Sequence, residues 1–129
     1  ERPEVERIQQ EIGSPRAVSL AGKTTLRDLI VLLSLADLLV TNDCGPAHFA
    51  SMTDIHSVVL FGPETPDLFG PLGDRVRVIR KRLACSPCLT VFNHRRSPCT
   101  DNVCIKTVTV EDVFDEAVRC IGERGASRG

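Results

Sequence analysis

The sequence at residues 38–48 is Leu-Leu-Val-Thr-Asn-Asp-Cys-Gly-Pro-Ala-His, an apolar run followed at once by a tight turn. The run from Leu38 to Thr41 is short and apolar and includes a β-branched pair at its end, as is typical of a buried parallel strand. Gly45 permits the turn, and Pro46 has the fixed φ and the missing N–H that suit the first position of a helix. We therefore predict a strand that passes directly into a helix, which is where open α/β sheets bind their ligands.

This junction also has the chemistry of an anion site. The first N–H groups of a helix have no partner within the helix, and they lie at the positive end of its dipole. His48 falls in the first turn, where it can donate a hydrogen bond or bring a positive charge to a phosphate. Asp43 can accept hydrogen bonds from sugar hydroxyls or from amides of the turn. The same residue types also form ordinary helix starts, so the pattern alone leaves both interpretations open.

Strands and helices alternate along the chain. We predict helices over residues 5–12, 26–36, 46–53 and 110–121, and strands over residues 17–20, 38–41, 57–61 and 76–79. This alternation predicts a parallel sheet with right-handed crossovers, in a Rossmann-like three-layer α/β fold. The predicted domain covers residues 1–121, includes an irregular cysteine-rich insert at 85–104, and is followed by a flexible tail at 122–129.

Length and charge narrow the class of protein. The 129 residues are 42% hydrophobic, which is enough for one domain with a single core. The net charge of −1 and the lack of a basic stripe argue against binding to nucleic acid. The longest apolar stretch, residues 29–40, is interrupted by Ser34 and Asp37 and is shorter than the ~20 residues of a membrane span. The chain begins without Met or a secretory signal, so we expect a fragment of a longer protein.

Four of the six cysteines are close in sequence, at Cys85, Cys88, Cys99 and Cys104. The first pair has the Cys-x-x-Cys spacing of a zinc site, with His94 as a spare ligand, whereas the spacing of the second pair is less typical. A disulfide set and a group of reduced thiols in a surface loop are the other interpretations. We adopt reduced thiols, with no metal, as the expectation.

Four segments, at residues 20–26, 36–48, 60–63 and 70–73, together with the Cys-Ser-Pro-Cys segment at 85–88, form a family pattern. By these segments the chain resembles the carboxy-terminal half of glycosyltransferase family 9, the heptosyltransferases that build the inner core of lipopolysaccharide. These segments occur in the family's order over nearly the whole chain. The resemblance implies a GT-B glycosyltransferase with two Rossmann-like domains, of which the amino-terminal acceptor domain is absent here.

The resemblance also implies a set of donor-binding residues, namely Glu4, Lys23, Thr24, Asp43, Cys44, Gly45, Pro46 and His48. Asp43 to His48 match the segment that contacts the sugar and the diphosphate, and Cys44 stands where Ser or Thr is usual. Lys23 and Thr24 match the loop that lines the nucleotide, and Glu4 matches an acidic residue that binds the ribose. His48 would stabilise the leaving diphosphate, whereas the catalytic base is expected in the absent domain.

The implied activity is an inverting transfer of heptose from ADP-heptose to a lipid-linked saccharide acceptor, with no cofactor or metal required. The implied location is the bacterial cytoplasm, with peripheral contact at the inner face of the inner membrane. The fragment alone is expected to bind the donor without transferring sugar. Two alternatives stay open: a sugar-nucleotide epimerase of the same architecture, and a zinc-stapled module whose cysteine loop contacts a partner.

Overall fold

The computed structural model describes residues 2–127 and contains one parallel sheet of three strands. The strands are β1 (Leu38–Asn42), β2 (His56–Phe61) and β3 (Val76–Arg80), with β2 in the centre. Leu38 lies opposite His56, and Ser57 lies opposite Val76. All three strands therefore end at the same side of the sheet, which we call the carboxyl edge; it consists of the segments that follow them at residues 43–48, 62–65 and 81–83.

Helices connect the strands and flank the sheet. They are α1 (Arg2–Ile12), α2 (Leu26–Leu35), α3 (Gly45–Ala50), α4 (Pro66–Phe69), α5 (Val103–Lys106) and α6 (Val110–Ser127). A capping box fixes the start of α2, because the Thr25 side chain accepts from the amide of Asp28 while the Asp28 carboxylate accepts from the amide of Thr25. None of the helices in the described residues is long and apolar enough to cross a membrane.

The core has two sides because side chains of β2 alternate between the two faces of the sheet. Val59 and Phe61 are fully buried and pack with Ala47 of α3 on one face. Val58 is fully buried and packs with Cys120 of α6 on the other face. Burying a side chain of this size contributes about 1.5–3 kcal/mol. Helices thus cover both faces, which confirms the predicted Rossmann-like three-layer fold.

Residues 17–20, predicted as a strand, form neither a helix nor a strand in the structure and do not pair with the sheet. Their carbonyl groups are used locally instead: Ala17 accepts from Nε2 of Gln9 at 2.7 Å, and Ser19 accepts from Nζ of Lys23 at 3.0 Å. The strand prediction was wrong because a short, largely apolar segment forms a strand only where a neighbouring strand provides hydrogen-bond partners.

The last helix continues beyond its predicted end at residue 121. α6 extends to Ser127, and Gly122 does not interrupt it. Both carboxylate oxygens of Glu123 accept hydrogen bonds from Nη2 of Arg77, at 3.1 and 2.9 Å, which ties this part of the helix to β3. The predicted tail at 122–129 is therefore corrected for residues 122–127, and residues 128–129 lie outside the described part of the chain.

The cysteine-rich insert at 85–104 is largely irregular, with a 3₁₀ turn at Val91–Asn93 and the start of α5. Hydrogen bonds fasten it to the loop that follows β2. Oγ of Ser86 donates to the carbonyl of Gly62 at 2.7 Å, and the amides of Cys88 and Leu89 donate to the carbonyl of Pro63 at 2.9 and 3.0 Å. The insert consequently lies against the carboxyl edge of the sheet.

Candidate functional site

The strand-to-helix junction forms as predicted from residues 38–48. β1 ends at Asn42, and α3 begins at Gly45 with a proline in its first turn. The amide of Asp43 donates to the carbonyl of Leu60 at 3.0 Å, so the tip of β1 is fixed to β2. Cys44 has an extended backbone and makes no side-chain hydrogen bond to the start of the helix. The first amides of α3 are therefore not capped by that side chain.

The Cys44 thiol is directed toward the strand instead. Its Sγ lies 3.1 Å from Oγ1 of Thr41, a distance at which either group can donate. Cys44 is half-buried, whereas Gly45 and His48 are exposed. The junction therefore exposes Gly45 and the His48 side chain to solvent, whereas the amide of Ala47 donates to the carbonyl of Cys44 at 3.0 Å and the thiol of Cys44 is engaged with Thr41.

Opposing effects act on Asp43, which is half-buried at the tip of β1. Burial raises the pKa of its carboxyl above the usual range, and the positive charges of His48 and Arg95 act in the opposite direction. His48 and Arg95 are thus both close enough to Asp43 to affect its charge. Arg95 was not among the predicted site residues, because it lies about 50 positions later in the chain, within the insert.

Two further ionic side chains, Glu64 and Arg80, lie at the carboxyl ends of β2 and β3, and neither was among the predicted site residues. Glu64, three residues after β2, is only 8% exposed, and its Oε1 lies 3.4 Å from Nε of Arg95. Arg80, the last residue of β3, is also largely buried and lies 3.8 Å from Oδ2 of Asp67. The rule that ligands bind beyond the carboxyl ends of parallel strands could have identified Glu64. Arg95 and Arg96 form a basic pair in the sequence, but no local pattern places Arg95 beside Glu64.

The predicted nucleotide-lining residues Lys23 and Thr24 lie in the exposed turn before α2. Gly22 has a positive φ of 69°, and the Lys23 side chain folds back to the carbonyl of Ser19. Thr24 directly precedes Thr25, the N-cap of α2. Their role in binding a nucleotide stays a prediction.

Glu4, the predicted ribose-binding residue, lies exposed on α1 and forms an ion pair with Arg7 at 2.8 Å. Its helix is near the Lys23 turn, because Arg2 donates to the carbonyls of Ala21 and Gly22. Across residues 2–127, no hydrogen bond or ion pair joins Glu4 or the Lys23 turn to residues 43–48. The structure thus places the predicted residues in two groups, one around Gly22 and one around Gly45.

Cys85, Cys88, Cys99 and Cys104 line one cavity of about 280 Å³, and all four are free thiols. The Cys88 sulfur accepts from Oγ of Ser97 at 3.2 Å. Backbone N–H groups, first that of Asn102, hydrogen-bond to Cys99 and lower the pKa of its thiol. Within the described residues, no three His, Cys, Asp or Glu side chains are arranged to hold a metal ion.

The structure is an α/β domain in which the junction at residues 43–48 lies at the carboxyl edge of a parallel sheet. Residues 1–96 match the family model described as glycosyltransferase family 9 (heptosyltransferase). Because this match covers most of the chain, the chain belongs to glycosyltransferase family 9.

Particular relatives agree with the family. Lipooligosaccharide heptosyltransferase 2 of Campylobacter jejuni serotype O:2 is 29% identical over 100 residues, which are 77% of this chain and 30% of that protein. Lipopolysaccharide heptosyltransferase 2 of Salmonella typhimurium is 42% identical over 62 residues, which are 48% of this chain and 18% of that protein. The solved structure of E. coli ADP-heptose lps heptosyltransferase II is similar with a TM-score of 0.65 and 27% identity, over 82% of this chain and 28% of that one. The matched part of the chain spans less than a third of the length of these relatives.

Proposed function

We propose that this chain is the donor-binding part of an inverting glycosyltransferase that transfers heptose from ADP-heptose to the inner core of lipopolysaccharide. The observation that carries the proposal is the junction at residues 43–48, found at the carboxyl edge of the sheet in a chain of family 9. The names of the relatives support heptose as the sugar. The similarity to the E. coli ADP-heptose lps heptosyltransferase II supports ADP-heptose as the donor.

The junction suits the leaving group of such a transfer. As the bond between the sugar and the diphosphate breaks, negative charge grows on the diphosphate, and fixed N–H donors and cations stabilise that charge. The amides around Gly45 and the imidazole of His48 are the groups assigned to this role. Asp43 would accept hydrogen bonds from sugar hydroxyls. Cys44 would contribute its backbone N–H, because its thiol is already engaged with Thr41.

The remaining parts of the reaction are assigned outside this junction. Glu4, Lys23 and Thr24 would contact the nucleoside, and Lys23 would first have to leave the carbonyl of Ser19. The base that takes the proton from the acceptor hydroxyl is assigned to an amino-terminal domain outside these 129 residues. The chain alone would therefore bind the donor without transferring sugar, and the complete enzyme would act in the cytoplasm, at the inner face of the membrane, on a lipid-linked acceptor without a metal.

Calorimetric titration of the chain with ADP-heptose tests the proposal. We expect saturable binding at one site, and no sugar transfer to an added acceptor. UDP-glucose, which has the same diphosphate but a different base and sugar, is the matched control and should bind more weakly. A folded chain, checked by circular dichroism, that gives no binding heat with millimolar ADP-heptose would contradict it. Product analysis with the full-length protein then distinguishes transfer from epimerisation.

A further inference from the structure

We propose that Arg95 binds the diphosphate of the donor, and that Glu64 and Phe69 hold its guanidinium group in position. This inference rests on the proposed function and adds to it a cation from the cysteine-rich insert. It also assigns a role to Glu64, a buried carboxylate that the strand-to-helix junction does not use.

The first observation is the burial of Glu64 at the carboxyl edge. Neither of its carboxylate oxygens has a hydrogen bond within the described residues, although Nε of Arg95 lies 3.4 Å from Oε1. The pair is therefore an ion pair by distance, without hydrogen-bond geometry. A buried carboxylate is costly unless a cation accompanies it. The negative charge of Glu64 thus stabilises the Arg95 guanidinium group in its position beside the carboxylate.

The second observation is the other contact of Arg95. Its Cζ lies 4.7 Å from the centroid of the Phe69 ring, which is the geometry of a cation–π contact. Glu64 and Phe69 both follow β2 in sequence, so the two contacts fix the guanidinium over the segment after that strand. The backbone also contributes, because the amide of Arg95 donates to the carbonyl of Thr90 at 2.9 Å.

The third observation is that these contacts leave the two Nη atoms of Arg95 available to a ligand. The ion pair with Glu64 uses Nε, and neither Nη atom has a hydrogen bond to any described residue. The Arg95 side chain remains 59% exposed. A guanidinium group held at one edge and open at the other presents paired N–H donors that match phosphate oxygens.

The location of the Arg95 guanidinium group also indicates a diphosphate as the ligand. Arg95 and His48 are the two positive charges that act on Asp43, so both lie near the tip of β1. A diphosphate placed beside an ionised Asp43 alone would be repelled. Two cations near that carboxylate compensate for its charge and attract the two phosphates.

ADP and adenosine are the probes that test this inference, because they differ only in the diphosphate. In calorimetric titrations, Arg95→Met should weaken ADP binding by about tenfold or more, as expected for the loss of a hydrogen bond to a charged group, and leave adenosine binding unchanged. Arg96→Met is the matched control, since it removes the same charge from the next residue. It should bind ADP within about twofold of the parent.

A second set of variants tests the positioning role. Arg95→Lys keeps the charge that compensates Glu64 but lacks the planar fork, so it should fold and still lose ADP affinity. Glu64→Gln should weaken ADP binding in the parent and have no further effect in the Arg95→Met background. A purely structural role of Glu64 would give the same loss in both backgrounds.

The outcomes separate this inference from the proposed function. If the parent binds ADP and both Arg95 variants bind it equally well, Arg95 is not a diphosphate ligand and the proposed function stands. If Arg96→Met loses as much affinity as Arg95→Met, the effect is general electrostatic attraction, and the inference is overturned. If the folded parent binds no ADP, the proposed function fails and this inference fails with it.

Discussion

His48 combines exposure with a fixed position on the first turn of α3. Across residues 2–127 its imidazole makes no hydrogen bond, yet its charge acts on Asp43 nearby. A side chain with these properties contributes little to stability and is available to a ligand. The thiol of Cys44 is not available in this way, because it already contacts the hydroxyl of Thr41.

We therefore predict that His48→Ala weakens ADP-heptose binding by about tenfold, since one hydrogen bond to a charged group is lost. Its melting temperature should equal that of the parent, because an exposed side chain is removed. Calorimetry and thermal denaturation measure the two effects. Ser51→Ala, an exposed change at the end of the same helix, is the control and should alter neither. Unchanged donor affinity in His48→Ala would argue that the imidazole does not touch the donor.

Asp43 and His48 could be predicted as neighbours because they lie in one contiguous junction, whose local geometry follows from Gly45 and Pro46. Glu64 and Arg95 could not be paired from sequence. Their contact depends on how the irregular insert folds back on the loop after β2. The periodicity of hydrophobic residues does not predict the path of an irregular segment. The position of charged residues at a sheet edge is local information, whereas their partners are a property of the tertiary structure.

At the scale of elements, α6 is fixed at both ends by charged contacts. Near its start, Asp112 caps the helix with Thr109 and lies 2.7 Å from Nζ of Lys81. The hydrogen bond from Lys81, followed by those of Thr109, lowers the pKa of Asp112 to about 2. Toward its end, Glu123 pairs with Arg77 of β3.

The depressed pKa of Asp112 gives a pH dependence of stability. The ionised carboxylate stabilises the folded state above the unfolded pKa near 3.8, and this contribution is lost as the pH falls through about 2. Asp112→Asn should therefore melt below the parent at about pH 6, and the two melting temperatures should converge as the pH approaches 2. Thermal denaturation at a series of pH values measures this, and a difference that stays constant with pH would refute the assigned cause.

Gly122 tests whether α6 continues where a flexible tail was predicted. A Cβ added at Gly122 meets no atom within 4 Å, so alanine fits there without a clash. In a helix, Gly122→Ala should raise the free energy of unfolding by about 0.5–1 kcal/mol. Urea denaturation measures the change. No gain would mean that the residue is not helical in solution.

The ends of helices and strands also depend on contacts between residues that are distant in the sequence, and local sequence patterns do not predict these contacts. A glycine followed by polar residues commonly ends a helix, so residue 121 was a reasonable end from local pattern alone. The contact that ties the helix further on joins residues 46 positions apart in the chain. Residues 17–20 give the converse case, because their composition favours a strand and the described residues provide no strand beside them.

At the scale of the whole molecule, the three parallel strands bring residues from distant parts of the chain to one edge. This much followed from the alternation of strands and helices, because the alternation predicts a parallel sheet and parallel strands all end at the same side of the sheet. The insert at 85–104 is the part that the pattern did not determine. It covers the loop after β2 and supplies Arg95, so it belongs to the candidate site.

The thiols of that insert are predicted to be free of metal in solution. Cys85 is exposed, and serine can replace Cys88 as an acceptor for Ser97, so the Cys85→Ser/Cys88→Ser double variant should change the free energy of unfolding by less than about 1 kcal/mol. Thermal and urea denaturation of protein purified without chelator measure this. The contrary result is a large loss of stability in the variant, together with a parent whose melting temperature a chelator lowers and Zn²⁺ restores.

The central claim is that the carboxyl edge around residues 43–48 binds the diphosphate of a nucleotide sugar. Chemical-shift mapping on the ¹⁵N-labelled chain titrated with ADP-heptose tests it most directly, because each backbone amide reports its own surroundings. We expect the largest changes at the amides of Asp43, Cys44, Gly45, Ala47 and His48. Changes confined to other surfaces, or no changes at millimolar ligand, would contradict the claim.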